Sequence, residues 1–216
     1  MRKKTPDTPK TAPPKPRRLE GSPTHEIRII GGQWRRTRLK VADKAGLRPT
    51  PDRVRETLFN WLGQDLSGWR CLDAFAGTGV LGFEAASRGA AQVLMLEQDP
   101  GLVTQLLATK SRLEATAVQV QRGDAVMVLK KASPASQDLV FLDPPFDSDL
   151  FDKALSAAAQ AVAVDGFIYL EAPVAWTDER LQPLGLAVRR HLKAGAVHAH
   201  LLVRAVPSAS NEETTP

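Results

Sequence analysis

The chain is short of the residues that mark an extracellular or membrane protein. Its 216 residues include one cysteine, Cys71, so no disulfide can close within it, and a reducing cytoplasm is the simplest setting. Cys71 falls in an apolar run and reads as a small core residue. No apolar run approaches the roughly 20 residues that cross a bilayer, and no membrane partner is expected. The basic N-terminus leads into no apolar segment, so no secretory signal is expected. Pro6, Pro9, Pro13, Pro14, Pro16 and Pro23 forbid the amphipathic helix of a transit peptide. Histidine is scarce as well. His198 and His200 share a strand face, but His25 and His191 complete no ligand set with them, so no metal site is expected. No internal repeat is visible.

What is present suits one α/β domain with appendages: 43% of the residues are hydrophobic, too many for a disordered chain. The formal charge of +5 is unevenly placed. Residues 1–55 hold 16 Lys/Arg against 5 Asp/Glu, and residues 56–216 hold 13 against 19. A basic front on an acidic body suits a protein that docks a polyanion at one end. Residues 1–25 read as a disordered, basic, Pro-rich arm, and 207–216 as a polar tail. The arm does not account for Arg28, Arg35, Arg36, Arg38 and Lys40. These lie in EIRIIGGQWRRTRLKV (26–41), which predicts a β-hairpin turning at Gly31-Gly32. Arg36, Arg38 and Lys40 then share a strand face and are candidate phosphate contacts. Trp34 suits either a base stack or the core. Beyond the turn Arg48-Pro49-Thr50-Pro51, a helix is expected over Asp52–Leu62, with Thr50 as N-cap, Pro51 in the first turn, and Val54, Leu58 and Trp61 or Leu62 on its apolar face. Gly63 ends it.

Residues 26–65 thus form an N-terminal extension, and 66–206 a second unit in which strands and helices alternate. Strands are expected near 70–75, 92–97, 117–121, 138–143, 166–171, 184–192 and 197–204, and helices near 79–88, 100–114, 124–131 and 149–162. That alternation specifies a doubly wound, mostly parallel sheet. The last two strands, joined by a short turn, give it an antiparallel end.

Two motifs carry chemistry. In Asp73-Ala74-Phe75-Ala76-Gly77-Thr78-Gly79 the glycines let a ligand approach the backbone before a helix N-terminus. Gly77, Gly79 and Gly82 also fit the dinucleotide spacing, so the glycines leave NAD open. Asp73 tilts the choice: a carboxylate there suits an ammonium and repels a pyrophosphate, which favours S-adenosyl-L-methionine. Glu97, with Gln98 beside it, is placed for ribose hydroxyls. Asp124 and Ala125 follow the third strand, and Asp124 suits either the adenine amine or a helix cap. The second motif, Asp143-Pro144-Pro145-Phe146, follows the apolar run Asp138–Leu142. Asp143 and the Pro144 carbonyl can accept hydrogen bonds from an exocyclic amine, the prolines stiffen the turn, and Phe146 can stack on a flipped base.

These blocks together, with IRIIGGQWRRTRLKV, LRPTPDRVRETLFNWL, LDAFAGTGVLGFEAASRGA, LEQDP, GDA and FLDPPF, resemble the bacterial 16S ribosomal RNA guanine-N(2) methyltransferases of the RsmD type, from about Ile27 to Arg204. The arginine-rich hairpin and the helix after Arg48 are the family-specific parts. The resemblance implies a class I methyltransferase fold with a seven-stranded Rossmann-like sheet and S-adenosyl-L-methionine as donor. It implies that the substrate is 16S rRNA in the small ribosomal subunit; a monomer is expected. It places Asp73, Gly77, Gly79 and Glu97 on the donor, Asp124 at the adenine, Asp143 to Phe146 at the reacting amine, and Arg48, Thr50 and Arg53 beside donor or target. Three other readings stay open: a DNA adenine or cytosine amine methyltransferase, a non-catalytic ribosome-assembly factor, and an NAD enzyme.

Overall fold

The computed structural model describes residues 26–42, 44 and 50–205; the basic arm, Arg48 and the polar tail lie outside them. Its centre is a seven-stranded sheet. The strands are β3 (Arg70–Asp73), β4 (Gln92–Glu97), β5 (Val118–Arg122), β6 (Gln137–Leu142), β7 (Val162–Ala172), β8 (Leu186–Ala194) and β9 (Val197–Arg204), ordered β5-β4-β3-β6-β7-β9-β8. The first five run parallel, and β9 pairs antiparallel with both β7 and β8. The chain moves one way from β3 and returns to its other side with β6. The crevice at the carboxyl ends of these two strands is therefore the switch point where open α/β sheets take ligands.

Strand alternation divides the core in two. Val140, Leu142, Ile168 and Leu170 face α4 (Ala125–Lys131) and α5 (Leu150–Ala161). Leu139, Phe141 and Tyr169 face the other way, toward α1 (Asp52–Trp61) and α2 (Val80–Ser87), and α3 (Pro100–Arg112) adds Leu106 to this cluster. All eight residues of α2 are buried, because the N-terminal extension covers the side that would otherwise meet water. Ile27, Ile29 and Leu39 of the extension join the same apolar cluster as Phe59 and Phe83.

The extension departs from expectation in three places. Its strands, β1 (Glu26–Arg28) and β2 (Arg38–Lys40), are antiparallel but only three residues each, and Gly31-Gly32 is not their turn. The pair instead lets the backbone lie against α2. Gln33 N donates to the Ser87 carbonyl at 2.8 Å and Trp34 N to Ser87 Oγ at 2.9 Å, and a methyl on Gly32 would overlap that carbonyl. Arg36, at φ 69°, belongs to the connecting loop and not to a strand, so only Arg38 and Lys40 share the exposed face. Thr50 does not cap α1. Pro51 holds the N-cap position, and the Thr50 hydroxyl donates to Glu171 at 2.6 Å. A short helix, α6 (Asp178–Leu181), with a 3-10 turn at Gln182–Leu184, fills the stretch after β7 where no element is expected. Among the described residues no helix is long and apolar enough to cross a membrane.

Candidate active site

Parallel pairing brings the acids that follow the strands to one end of the sheet. Asp73 is level with Phe141 on β6, and Leu142 is level with Leu170 on β7. One residue further, Asp143 and Glu171 are neighbours. Alternation puts Asp73, Asp143 and Glu171 on the same face as Phe141 and Tyr169, whose rings meet edge to face at 6.2 Å.

The loop after β3 is held from below. Ala74 N donates to the Phe141 carbonyl and Ala76 N to the Leu96 carbonyl. Gly77 (φ 52°) and Gly79 (φ 76°) are left-handed, and Gly79 caps α2. Thr78 is buried, and Phe75 packs half-buried on the α4–α5 side. Asp73 is 2% exposed, and its Oδ2 accepts from Gly82 N at 3.1 Å. Burial pushes its carboxyl up to about 7; the Gly82 N–H opposes this, the Glu97 charge adds to it, and the Phe75 N–H opposes it. A carboxyl so poised ionises readily when a cation arrives. The third glycine is therefore a packing residue: Gly82 feeds Asp73 a hydrogen bond, and a methyl there would overlap Met95.

Glu97 is engaged on both oxygens, Oε2 by Gly77 N and Oε1 by Asp99 N, each at 2.9 Å. A carboxylate has about four acceptor positions, so acceptor capacity remains for hydroxyls. Asp124 is a helix cap: Oδ1 accepts from Met127 N at 2.8 Å, and Oδ2 from Gln98 Nε2 at 3.3 Å. Ala125 is buried in the first turn of α4.

In the second motif Asp143 is half-buried, Pro144 is buried, and Pro145 and Phe146 are exposed. Ser148 clamps the turn, its N–H and hydroxyl both donating to the Pro145 carbonyl. Burial raises the Asp143 carboxyl well above the usual carboxylate range, and the charges of Glu171 and Asp73 raise it further. Phe146, at 39% exposure, presents an aromatic ring to solvent beside this acid.

Three buried charged groups carry no motif and are missed from sequence alone. Glu171, 3% exposed, accepts from Thr50 Oγ1 (2.6 Å) and Tyr169 OH (2.8 Å), both on Oε1. Burial raises its carboxyl, against those two hydrogen bonds and the Arg55 charge. Glu84, fully buried in α2, accepts from the backbone N–H groups of Ile30 and Gly31 and pairs with Arg55 (3.2 Å) and Arg88 (2.8 Å). Arg55, also fully buried, reaches Asp52 and the carbonyls of Thr50 and Arg28. The available signal is a charge at a buried position of an apolar element, helix α2 for Glu84, helix α1 for Arg55 and strand β7 for Glu171.

The basic candidates separate into two groups. Arg28 pairs with Asp52 and Arg38 with Glu26. Arg35, Arg36, Lys40 and Arg53 are exposed and enter no ion pair among the described residues. Thr50, 3% exposed, lies beneath the surface. Trp34 is half-buried against the core. At the far edge of the sheet the rings of His191, His198 and His200 stack, with His191 Nε2 and His198 Nδ1 3.0 Å apart. Among the described residues no group of three His, Cys, Asp or Glu is arranged to hold a metal.

Known proteins resemble this chain in sequence and fold. A family model described as Conserved hypothetical protein 95 matches residues 27–203. The ribosomal RNA small subunit methyltransferase D of Escherichia coli (strain K12) is 39% identical over 191 residues, 87% of this chain and 95% of its own length. The protein of the same name from Haemophilus influenzae is 42% identical over 151 residues, 68% of this chain and 78% of its own. The solved structure of yhhF from Escherichia coli gives a TM-score of 0.73 at 36% identity, covering 84% of this chain and 99% of that one. The sheet order and the likeness to solved methyltransferases make this a class I methyltransferase fold. With the Asp73 loop and the Asp143 turn meeting at its switch point, the chain belongs to the Conserved hypothetical protein 95 family, that of the RsmD-type ribosomal RNA small subunit methyltransferases.

Proposed function

We propose that this protein transfers a methyl group from S-adenosyl-L-methionine to the exocyclic amine of a guanine in 16S rRNA. The product is 2-methylguanosine, formed by a monomeric cytoplasmic enzyme on the small ribosomal subunit or a precursor of it. The observation that carries the reading is the placement of Asp143-Pro144-Pro145-Phe146 beside the Asp73 loop, at the switch point of a family member's sheet.

The donor set suits the cofactor. Asp73 and the loop over Phe75–Gly79 hold its amino-acid end, Glu97 and Gln98 its ribose, and Asp124 and Ala125 its adenine. Bound there, S-adenosyl-L-methionine supplies an electrophilic methyl on a sulfonium and brings no phosphate, which favours it over NAD next to a buried carboxylate. The protein's own task is positional. An exocyclic amine is a poor nucleophile because its lone pair is delocalised into the ring. Asp143 and the Pro144 carbonyl accept from its N–H groups, which turns the lone pair out of conjugation, and in-line positioning contributes most of the acceleration. Asp143 takes the proton that the methylated amine releases. Phe146 stacks on the flipped base. Arg35, Arg36, Lys40 and Arg53 contact phosphates.

The test uses small ribosomal subunits from cells lacking the protein, incubated with labelled S-adenosyl-L-methionine. The RNA is digested and the labelled nucleoside identified by mass spectrometry. Label in 2-methylguanosine confined to small-subunit RNA is expected. Label in DNA or in another nucleoside, or none despite cofactor binding, refutes the reading. Asp143→Ala is expected to lower turnover by about 100-fold or more while S-adenosylhomocysteine still raises its melting temperature.

A further inference from the structure

The reaction described above uses Asp143 but leaves Glu171 without a role. Glu171 is a 3%-exposed carboxylate at the neighbouring strand end, one residue past the last paired position, Leu142–Leu170, and close enough for its charge to act on Asp143. Two hydroxyls fix it, Thr50 Oγ1 at 2.6 Å and Tyr169 OH at 2.8 Å, and both donate to Oε1. No described residue donates to Oε2, and Oε2 is not among sealed-off atoms left without a partner. A carboxylate oriented on one oxygen and bare on the other is an acceptor waiting for a donor.

The three nucleobase amines differ in what stands next to them in the ring. In guanine the C2 amine adjoins N1–H, a donor. In adenine the C6 amine adjoins N1, an acceptor, and in cytosine the C4 amine adjoins N3, also an acceptor. A second carboxylate oxygen beside the amine site therefore suits guanine alone. Against adenine or cytosine it would set lone pair against lone pair, with both groups desolvated.

We propose that Glu171 is a base-recognition residue: its Oε2 accepts the N1–H of the target guanine while Asp143 holds the adjacent amine. The inference rests on guanine being the base methylated. It explains why a turn that also serves adenine and cytosine amines would be committed here to guanine. It also gives the N-terminal extension a part in selectivity, since Thr50 holds the carboxylate in the required orientation.

The test compares two small-subunit particles, reconstituted with guanine or with 2-aminopurine at the methylated nucleotide. 2-Aminopurine keeps the C2 amine but has an acceptor at N1. Wild type is expected to favour guanine in kcat/KM by roughly 10- to 100-fold, the range of one good base-edge contact. In Glu171→Gln the carboxamide oxygen keeps the Thr50 and Tyr169 donors, and its NH2 faces the cleft. The preference is then expected to fall to near one or to invert, with S-adenosylhomocysteine affinity unchanged. A purely structural role for Glu171 would lower both rates together and leave the ratio alone, and that result overturns the inference. Equal rates on the two particles in wild type also overturn it, with no variant needed. Absence of label from the guanine particle removes the methylation reading and this inference with it, whereas a labelled guanine particle with an unmoved ratio removes this inference only.

Discussion

Asp73 and His200 are both buried and titratable, yet burial acts on them with opposite sign. The Asp73 carboxyl is held near 7 in the folded protein against an ordinary 3.8. Folding then binds a proton that the unfolded chain has lost, so the stabilisation is complete below about pH 4 and disappears as pH rises through 7. His200 is lowered to about 4 from 6.5, because burial disfavours its charge and the neighbouring His191 and His198 repel it, against a hydrogen bond to the Leu170 carbonyl. Its contribution is present above 6.5 and lost as pH falls toward 4. The two slopes oppose each other in the wild type, so a variant is needed to separate them. Asp73→Asn, melted in denaturant without cofactor, is expected to gain on wild type with rising pH, by about 2–4 kcal/mol between pH 4 and 8. A difference that does not change with pH would mean that Asp73 is already ionised in the folded state. At this scale the sequence is half legible. Acids that follow strands are visible by position, and Asp73, Glu97, Asp124 and Asp143 do gather at one end of the sheet. Glu171, Glu84 and Arg55 are not visible, because what orients them, Thr50, Ile30 or Arg28, lies 27 to 121 residues away along the chain.

The elements of the sheet are legible because they obey local periods. Short apolar runs bounded by turns can only be buried strands in this context, and the observed ends fall within a few residues of expectation, β7 excepted, which begins four residues early. The extension is less legible because its conformation is set by α2 and not by its own strands. A Gly-Gly pair between β-prone runs ordinarily signals a tight turn. Here it signals close approach: the backbone of Gly31-Gly32 lies on the last turn of α2, with Glu84 receiving the N–H groups of Ile30 and Gly31 at 2.8 and 2.7 Å. Gly32→Ala therefore tests the docking. It forces a side chain into φ +71° and onto the Ser87 carbonyl, at a cost of about 1–3 kcal/mol. The expected result is a lower melting temperature and faster proteolysis within residues 26–65, with the same spectroscopic helix content. Wild-type melting and proteolysis would mean that the extension is not coupled to α2.

At the scale of the whole molecule, the charge asymmetry acquires a direction. The extension covers the α2 side of the sheet, and its Thr50 reaches Glu171 beside the Asp143 turn, so the described extension and the reacting end are one continuous region. Pairing then sorts the cations by what they can offer an RNA. Arg28 and Arg38 are already neutralised by Asp52 and Glu26; using them on a phosphate means breaking an exposed ion pair, itself worth under about 1 kcal/mol. Arg35, Arg36 and Lys40 have no such partner among the described residues, so redirecting them breaks no ion pair. Each phosphate contact releases condensed counterions, so log affinity falls with log salt by about 0.7–0.9 per contact. Replacing Arg35, Arg36 and Lys40 together by Gln is expected to weaken small-subunit binding at low salt and to flatten the salt slope by about 2–3. The cofactor-induced rise in melting temperature should not change, because none of the three side chains hydrogen-bonds to the Asp73 loop among the described residues. Replacing Arg28 and Arg38 is expected to change the slope less. A triple variant with the wild-type slope would move the polyanion site off these three cations, to Arg53, the paired Arg28 and Arg38, Arg48 or the arm before Glu26.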